Sequence, residues 1–140
     1  MFRTADAFAI EKIHLCGITA QPPNRDIQKT AIGATQSVEW EYHSSTNLAV
    51  KRLQEDGYLI ASLEQVENST SLHELQLSND TKIAIIVGNE VMGVDQQLID
   101  LSDICIEIPQ FGTKHSLNVS VSLGITLWEI STKLNEYFKK

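Results

Sequence analysis

Apolar and polar positions form two kinds of block along the chain, and these blocks predict strands separated by helices. Short apolar runs predict strands at 12–17, 37–42, 58–63, 82–87 and 104–108. Apolar residues at helical spacing predict helices at 4–8, 27–34, 45–56, 95–101 and 118–138. Gly57 marks the end of the 45–56 helix. The polar connection at 68–80 leaves room for a short helix at 72–75.

This alternation predicts an α/β fold, with a mostly parallel sheet and helices on both faces. A chain of 140 residues has room for one domain around one core, so we expect residues 1–140 to form a single domain. Ligands of such sheets bind beyond the carboxyl ends of the strands. The loops that follow strands 82–87 and 104–108 are therefore expected at one edge of the sheet.

The closing helix is apolar on more than one side. One face carries Val119, Leu123, Leu127, Ile130, Leu134 and Phe138, and another carries Leu117, Val121, Ile125 and Trp128. A helix of this kind needs more than one partner. One face can pack on the sheet and the other predicts a contact with a second subunit, although complete burial within a monomer is the simpler alternative.

The composition is that of an ordinary globular protein, with 42% apolar and 21% charged residues. No apolar run approaches the ~20 residues that span a bilayer, and the N-terminus has no apolar signal segment. We therefore expect a cytoplasmic protein without a membrane partner. Cys16 and Cys105 lie in strand-like runs and are expected to be buried free thiols. The cysteines and the scattered His14, His43 and His73 lack the spacing of metal ligands, so no metal site is expected.

The net charge of −7 argues mildly against a nucleic-acid partner, because phosphate contacts usually need a basic surface. The excess of acidic residues is concentrated in residues 61–140, whereas residues 1–60 are nearly neutral. If RNA binds, the expected phosphate contacts are therefore Arg3, Lys12, Arg25, Lys29, Lys51 and Arg52.

Two polar loops carry the candidate chemistry. The first, Gly-Asn-Glu-Val-Met-Gly-Val at 88–94, follows an apolar strand, and its leading Gly88 suits the close approach of a ligand. The second begins at Pro109 and leads into the closing helix through Ser116, Leu117 and Asn118. A hydroxyl, a carboxamide and free backbone N–H groups at a helix entrance can hold a small polar ligand, although Ser and Asn are also ordinary helix caps.

These two segments resemble motifs of the SpoU (TrmH-like) family of RNA ribose 2'-O-methyltransferases, in the SPOUT superfamily. The second family motif resembles Gly-Asn-Glu-Gly-x-Gly, and residues 88–93 match it. The third resembles Ile-Pro-Met-x-Gly-x-x-x-Ser-Leu-Asn-Val-Ser-Val-Ala-x-Gly, and residues 108–124 match it. The first motif ends in an arginine before a small-residue helix, as in residues 2–8. The resemblance covers nearly the whole chain.

The resemblance implies methylation of a ribose 2'-hydroxyl in RNA with S-adenosylmethionine as the cofactor, in a homodimer with a C-terminal deep trefoil knot. It assigns catalytic roles to Arg3, Glu90, Ser116 and Asn118. It assigns cofactor contacts to Gly88, Asn89, Ile108, Ser116 and Leu117. Several relatives that modify rRNA carry an extra N-terminal RNA-capture domain, so tRNA is favoured over rRNA as the substrate.

The chain departs from the family pattern at Gln110, where methionine is frequent, and at Ser122, where alanine is frequent, and both changes are tolerable. Two other departures bear on function. Val91 stands where glycine is usual, and a β-branched residue disfavours a positive φ angle there. The family also has a strand and an asparagine upstream of the motif-one arginine, whereas here only two residues precede Arg3. We therefore expect the domain to lack its usual first strand, which puts the activity of this chain, but not its family, in question.

Other functions fit the sequence less well than RNA methylation. A non-catalytic member that binds RNA or the cofactor is favoured by the acidic charge and the missing strand. A flavodoxin-like regulator would need an acidic cluster at the strand ends, and a dehydrogenase would need Gly-x-Gly-x-x-Gly after a strand; the chain has neither. His115 beside Ser116 would be compatible with a hydrolase. However, the side chains of adjacent residues point in different directions, and the sequence contains no Gly-x-Ser-x-Gly elbow.

Overall fold

Parallel strands and helices alternate along the chain in the computed structural model, which describes residues 1–113 and 116–134. The chain divides into two compact units, Met1–Ala49 and Val50–Lys140. Helix α4 (Thr46–Glu55) begins in the first unit and ends in the second along the chain.

The first unit pairs two parallel strands and packs short helices on one of their faces. Its elements are α1 (Phe2–Ala7), β1 (Lys12–Cys16), α2 (Arg25–Ala31), α3 (Ala34–Ser37) and β2 (Glu39–His43). Strand β1 pairs with β2 in parallel, with Ile13 opposite Trp40. Alternate residues of a strand point to opposite faces, so Ile13, Leu15 and Trp40 share one face. They pack there with apolar residues from the helices, namely Phe2, Ala5, Ala31, Ala34 and Val38.

The second unit is built on a four-stranded parallel sheet. Its elements are β3 (Leu59–Leu63), β4 (Thr70–Ser71), a 3-10 turn (Leu72–Glu74), β5 (Ile83–Ile86), α5 (Gln96–Leu101), β6 (Ile104–Glu107) and α6 (Val119–Leu134). The strand order is β4-β6-β3-β5, with every pair parallel. The central strand β3 is the most completely buried, and Ile60 and Ala61 have no exposed surface.

Both faces of this sheet are covered by helices. On one face, Ala61 and Ile106 pack with Ile130 of α6 and with Leu72 and Leu75 of the connection. On the other face, a second cluster joins the sheet to α4 and α5, and it contains Val50, Ile60, Val94 and Leu98. The predicted α/β fold, mostly parallel and with helices on both faces, is confirmed for this sheet.

Most predicted elements are present with shifted ends. The helix predicted at 27–34 is two helices, α2 and α3, because Ile32 and Gly33 adopt left-handed conformations between them. The short strand β4 was not predicted, since two polar residues carry no periodicity. The predicted helical turn at 72–75 is a 3-10 turn. Gly57 follows α4 with a φ angle of 87°, as its C-terminal position predicted.

Helix α6 confirms the prediction of two apolar faces. Leu127 and Ile130 are buried, whereas Val121, Ile125 and Trp128 are 50%, 40% and 52% exposed. The rest of the predicted closing helix, 135–138, lies outside the described residues. Within the described residues, no helix is long and apolar enough to cross a membrane.

The two cysteines are free and only half-buried, which corrects the expectation of full burial. Burial raises the pKa of the Cys16 thiol above its ordinary value, and a hydrogen bond with Thr46 opposes that shift. The thiol is therefore neutral near pH 7.

Candidate active site at the carboxyl edge of the sheet

The two motif loops leave the same edge of the four-stranded sheet. Strands β5 and β6 both run parallel to β3 and flank it. The loop at 88–94 follows β5 and the loop at 108–118 follows β6, so both begin at the carboxyl ends of their strands. With one strand between them, the loops start about 10 Å apart. The prediction that they share one sheet edge is confirmed.

Asn89 closes the first loop on itself. Its backbone N–H donates to the Gly93 carbonyl at 3.2 Å, and the Gly93 N–H donates back to the Asn89 carbonyl at 2.9 Å. Its side-chain Oδ1 accepts from the N–H groups of Val91 at 2.7 Å and Met92 at 3.2 Å. The side-chain oxygen of Asn89 is therefore occupied in shaping the turn.

Gly88 is required by the packing of this loop against itself. A Cβ atom on Gly88 would collide with the backbone of Gly93 and Val94. The sequence suggested that glycine leaves room for a ligand. The structure adds a second reason, which is that the backbone of Gly93 and Val94 occupies the space a Cβ atom would need. The positive φ angle of the turn falls on Gly93, at 70°, rather than on Val91. Valine is tolerated at 91 for that reason, and its side chain is 87% exposed.

Glu64 holds this loop in place, although no motif in the sequence predicted a role for it. It follows β3 directly, and its backbone N–H donates to the Ile106 carbonyl of β6 at 3.1 Å. Its side-chain Oε2 accepts from the N–H of Val94 at 2.9 Å. One residue thus connects β6 to the loop that follows β5. The signal that could have found it is a carboxylate at the carboxyl end of a buried strand, which is the same position that identified the two loops.

The second loop places its predicted residues between the core and solvent. Ile108 is half-buried and packs against the cluster that contains Ile106. Ser116 is exposed and Leu117 is 39% exposed. The predicted neighbour His115, with Lys114, lies outside the described residues.

Asn118 caps helix α6. Its Oδ1 accepts from the N–H of Ser120 at 2.8 Å and of Val121 at 3.4 Å. Two N–H groups of the first turn, which have no partner within the helix, are satisfied in this way. These bonds use only the oxygen of the carboxamide, so the side-chain NH2 group is not engaged in them.

Burial, and secondarily the Glu64 carboxylate, raise the pKa of the Cys105 thiol. A thiolate is a strong nucleophile and a thiol is a weak one. The raised pKa therefore keeps the Cys105 thiol, on β6, neutral near pH 7.

Arg3 belongs to the first unit, whereas the other predicted site residues belong to the second. It is exposed on α1 and lines a shallow groove of ≈ 400 Å³ in its unit, together with Asp6, Gly33 and Ser37. The Ser37 hydroxyl donates to Asp6 Oδ1 at 2.7 Å and fastens α3 to α1. Gly88, Asn89 and Glu90 thus share one loop, and Ile108, Ser116, Leu117 and Asn118 lie along the other.

The expectation that the histidines are scattered is wrong for one pair. His14 on β1 and His43 on β2 are neighbours, with Nδ1 of His14 2.9 Å from Nε2 of His43. Their separation of 29 residues in sequence hides this contact, because parallel pairing of strands joined by a long crossover brings distant residues together.

Comparison with known proteins gives one consistent family. A model of the SpoU rRNA Methylase family matches residues 1–128. An uncharacterized tRNA/rRNA methyltransferase of Borreliella burgdorferi is 33% identical over 135 residues, which cover 96% of this chain and 58% of that protein. The tRNA (guanosine(18)-2'-O)-methyltransferase of Escherichia coli K12 is 30% identical over 129 residues, covering 92% of this chain and 55% of that protein.

A solved structure gives the same fold. The SpoU methyltransferase AviRb from Streptomyces viridochromogenes, in complex with the cofactor AdoMet, superposes with a TM-score of 0.84 at 17% identity. The match covers 94% of this chain and 53% of that one. At this level of identity the likeness shows the fold alone. The chain spans a little more than half the length of the curated relatives it matches.

Proposed function

Because the chain belongs to the SpoU rRNA methylase family, we propose that it transfers a methyl group from S-adenosylmethionine to a ribose 2'-hydroxyl in RNA. The observation that carries this proposal is the placement of both family loops at one carboxyl edge of a parallel sheet. Ligands of such sheets bind at that edge. In support, curated relatives are named as tRNA or rRNA methyltransferases.

The residues at this edge fit the proposed cofactor. Half-buried Ile108 and partly exposed Leu117 offer apolar surface for an adenine ring. Exposed Glu90 and Ser116, and the NH2 group of Asn118, offer polar partners for the rest of the molecule. We assign Gly88 and Asn89 the task of shaping the loop, because their own contacts are within it. S-adenosylmethionine supplies the methyl group on a sulfonium when it is bound.

Arg3 is proposed to act on the ribose hydroxyl. That hydroxyl is a very weak acid. As its oxygen bonds to the methyl group, the methyl–sulfur bond breaks, the sulfonium becomes a neutral thioether, and the hydroxyl proton passes to the surrounding water, to which Arg3 is exposed. Arginine keeps its proton in proteins, so it is a poor base. We therefore assign Arg3 a fixed positive charge that stabilises the developing alkoxide. Its exposed position on α1, beside an open groove, suits a bulky substrate.

We favour tRNA over rRNA as the substrate. The Escherichia coli relative, at 30% identity, is named for 2'-O-methylation of a tRNA guanosine. A second candidate function is binding of RNA or cofactor without transfer. The net charge of −7 favours cofactor binding without transfer over RNA methylation, because a chain with no basic excess holds RNA phosphates weakly.

The experiment is transfer of labelled methyl groups from S-adenosylmethionine to bulk tRNA and rRNA, with a DNA oligonucleotide as the control that lacks the 2'-hydroxyl. A methylated ribose protects the adjacent phosphodiester from alkali, so the label should remain in alkali-resistant dinucleotides. Label on a base would refute the assigned position. Cofactor binding without transfer to any RNA would favour the second candidate, and absence of both would reject the proposal.

We further propose that the chain forms a homodimer through the exposed face of α6. Val121, Ile125 and Trp128 lie at i, i+4 and i+7 on that face and are each at least 40% exposed. Apolar side chains aligned in this way are typical of a helix with a partner. A two-fold axis would set the same face of each protomer against the other.

The C-terminal trefoil knot remains a proposal that rests on the resemblance. The segment that would thread includes residues 114 and 115, which lie outside the described residues. The description of residues 1–140 as a single domain also stays a prediction, and so does a cytoplasmic location.

A further inference from the structure

The polar face of the β1–β2 sheet gathers side chains that bind transition metals. Along β1, His14 alternates with Ile13 and Leu15, which point into the core of the first unit. Along β2, Glu41 and His43 alternate with Trp40, which packs on the same core. His14, Glu41 and His43 therefore share the face opposite that core.

Strand register sets the spacing of this cluster. His14 lies directly opposite Glu41 in the parallel pair, and His43 is two residues further along the same strand. Nδ1 of His14 is 2.9 Å from Nε2 of His43, and that Nε2 is 3.9 Å from Oε2 of Glu41. One ligand atom from each residue lies within 4.8 Å of the others. The backbone pairing alone thus brings three donors together.

Two imidazoles and a carboxylate form a donor set that Zn²⁺ accepts. Zinc takes such ligands at about 2.0–2.2 Å in tetrahedral geometry, which separates neighbouring donor atoms by about 3.4 Å. The observed separations of 2.9 and 3.9 Å lie on either side of that value. Each of these two separations must therefore change by about 0.5 Å when the ion binds. The His43 side chain is only 15% exposed, so its position is already restricted.

We propose that His14, Glu41 and His43 bind a divalent transition metal ion, with Zn²⁺ as the best match, and that the ion joins the middle of β1 to the middle and the carboxyl end of β2. Three protein ligands leave a fourth position for water. The site is distinct from the proposed methyl-transfer site, and it departs from the sequence-based expectation that the chain has no metal site.

The contacts that exist without the ion must be exchanged when it binds. The hydrogen bond between the two rings places one proton between two nitrogens that would both face the metal. That proton must move to the outer nitrogen of its ring, so that both inner lone pairs reach the ion.

Lys12 is the competing cation at the cluster. Its Nζ lies 3.5 Å from Oε2 of Glu41 and 3.2 Å from Oε1 of Glu39. When Glu41 turns to the metal, Glu39 remains as a partner for Lys12. The Lys12 ammonium therefore weakens metal binding by its charge but does not block it, and its removal should tighten the site.

The test is Zn²⁺ binding by the full chain without a histidine tag, measured by competition with a chromophoric chelator. We expect one equivalent to bind, and we expect Co²⁺ to give the visible absorption of a tetrahedral site. Because only the folded chain presents the site, excess Zn²⁺ should raise the midpoint of thermal unfolding. Each of His14→Gln, His43→Gln and Glu41→Gln should weaken binding at least about tenfold.

The matched control is His73→Gln, which removes an exposed imidazole far along the chain from the cluster. It should leave Zn²⁺ affinity unchanged. Lys12→Gln should increase affinity, and this variant retains all three ligands even if a ligand variant fails to fold. The proposal is overturned if the wild-type chain binds no Zn²⁺. It is also overturned if His73→Gln weakens binding as much as His14→Gln, or if Lys12→Gln leaves the affinity unchanged.

Discussion

Replacement of Gly88 by alanine tests how the first motif loop is built. The added methyl would collide with the backbone of Gly93 and Val94, which cannot rotate away as a side chain can. To accept it, the loop must open between Gly88 and Gly93. The first contacts to break are the two backbone hydrogen bonds between Asn89 and Gly93, at 3.2 and 2.9 Å.

The size of the effect follows from these contacts. Two backbone hydrogen bonds contribute about 1–3 kcal/mol net, and overpacking of a tight contact costs about 1–3 kcal/mol. Because Val91 and Met92 at the loop tip are more than four-fifths exposed, the loop can relax outward and relieve part of the strain. We expect the free energy of unfolding to fall by about 2–4 kcal/mol, with a drop in Tm of roughly 10 °C.

The assay pairs thermal unfolding with calorimetric titration of S-adenosylmethionine. We expect Gly88→Ala to lower both stability and cofactor affinity. The control is Gly112→Ala in the second motif loop, where an added Cβ meets nothing within 4 Å among the described residues. It should change the free energy of unfolding by less than about 0.5 kcal/mol. If Gly88→Ala had wild-type stability, the packing argument would be wrong. A less stable variant with unchanged affinity would place the cofactor elsewhere.

Variants at three further residues, with their controls, test the other proposed roles. Arg3→Ala should reduce methyl transfer by orders of magnitude, and its Tm should stay within a few degrees of the wild type because Arg3 is exposed. Normal turnover would contradict the role of Arg3 in stabilising the alkoxide. The comparison variant Arg25→Ala should lower RNA affinity instead. Asn118→Asp should retain the helix cap and the stability but lose the NH2 donors, and it should therefore lose activity. Asn118→Ala should also lose about 0.5–2 kcal/mol of stability. If Asn118→Asp were active, the only role of Asn118 would be to cap the helix. Light scattering should report about twice 15.6 kDa for the wild type, and Trp128→Glu should reduce this mass to that of one chain. The control Leu48→Glu, at a residue that is 68% exposed on α4, should leave the mass unchanged. A monomeric wild type would refute the dimer proposal.

Local pattern was enough to predict the elements that form the site. Strands β3, β5 and β6 are short apolar runs, and such runs can be identified without knowing their partners. Asn118 and Gly57 were placed correctly because a helix cap depends only on residues within one turn. The common sheet edge of the two loops also followed, since parallel strands present their carboxyl ends together.

Long-range pairing is what the pattern could not supply. The contact of His14 with His43 depends on the register of β1 with β2, and the sequence of one strand does not determine that register. The role of Glu64 depends on β3 lying between β5 and β6, so that one residue reaches both neighbours. The strand β4 is two polar residues long, and only its pairing with β6 makes it a strand.

Several motif residues at this edge make contacts that stabilise their own loop or helix. Loss of activity in a variant at such a position therefore does not by itself show a chemical role. Gly88 and Asn89 contact their own loop, and Asn118 contacts its own helix. A substitution at any of these positions therefore removes structure and chemistry together unless it preserves the local contact. Asn118→Asp preserves the accepting oxygen, whereas Gly88 has no such substitute, because every other residue adds a Cβ. Asn118 thus allows the chemical role to be separated from the structural one, and so does Asn89, because the Oδ1 that accepts from Val91 and Met92 is retained in Asn89→Asp. Glu90 and Ser116, exposed at the same edge, are the next positions to test for chemistry.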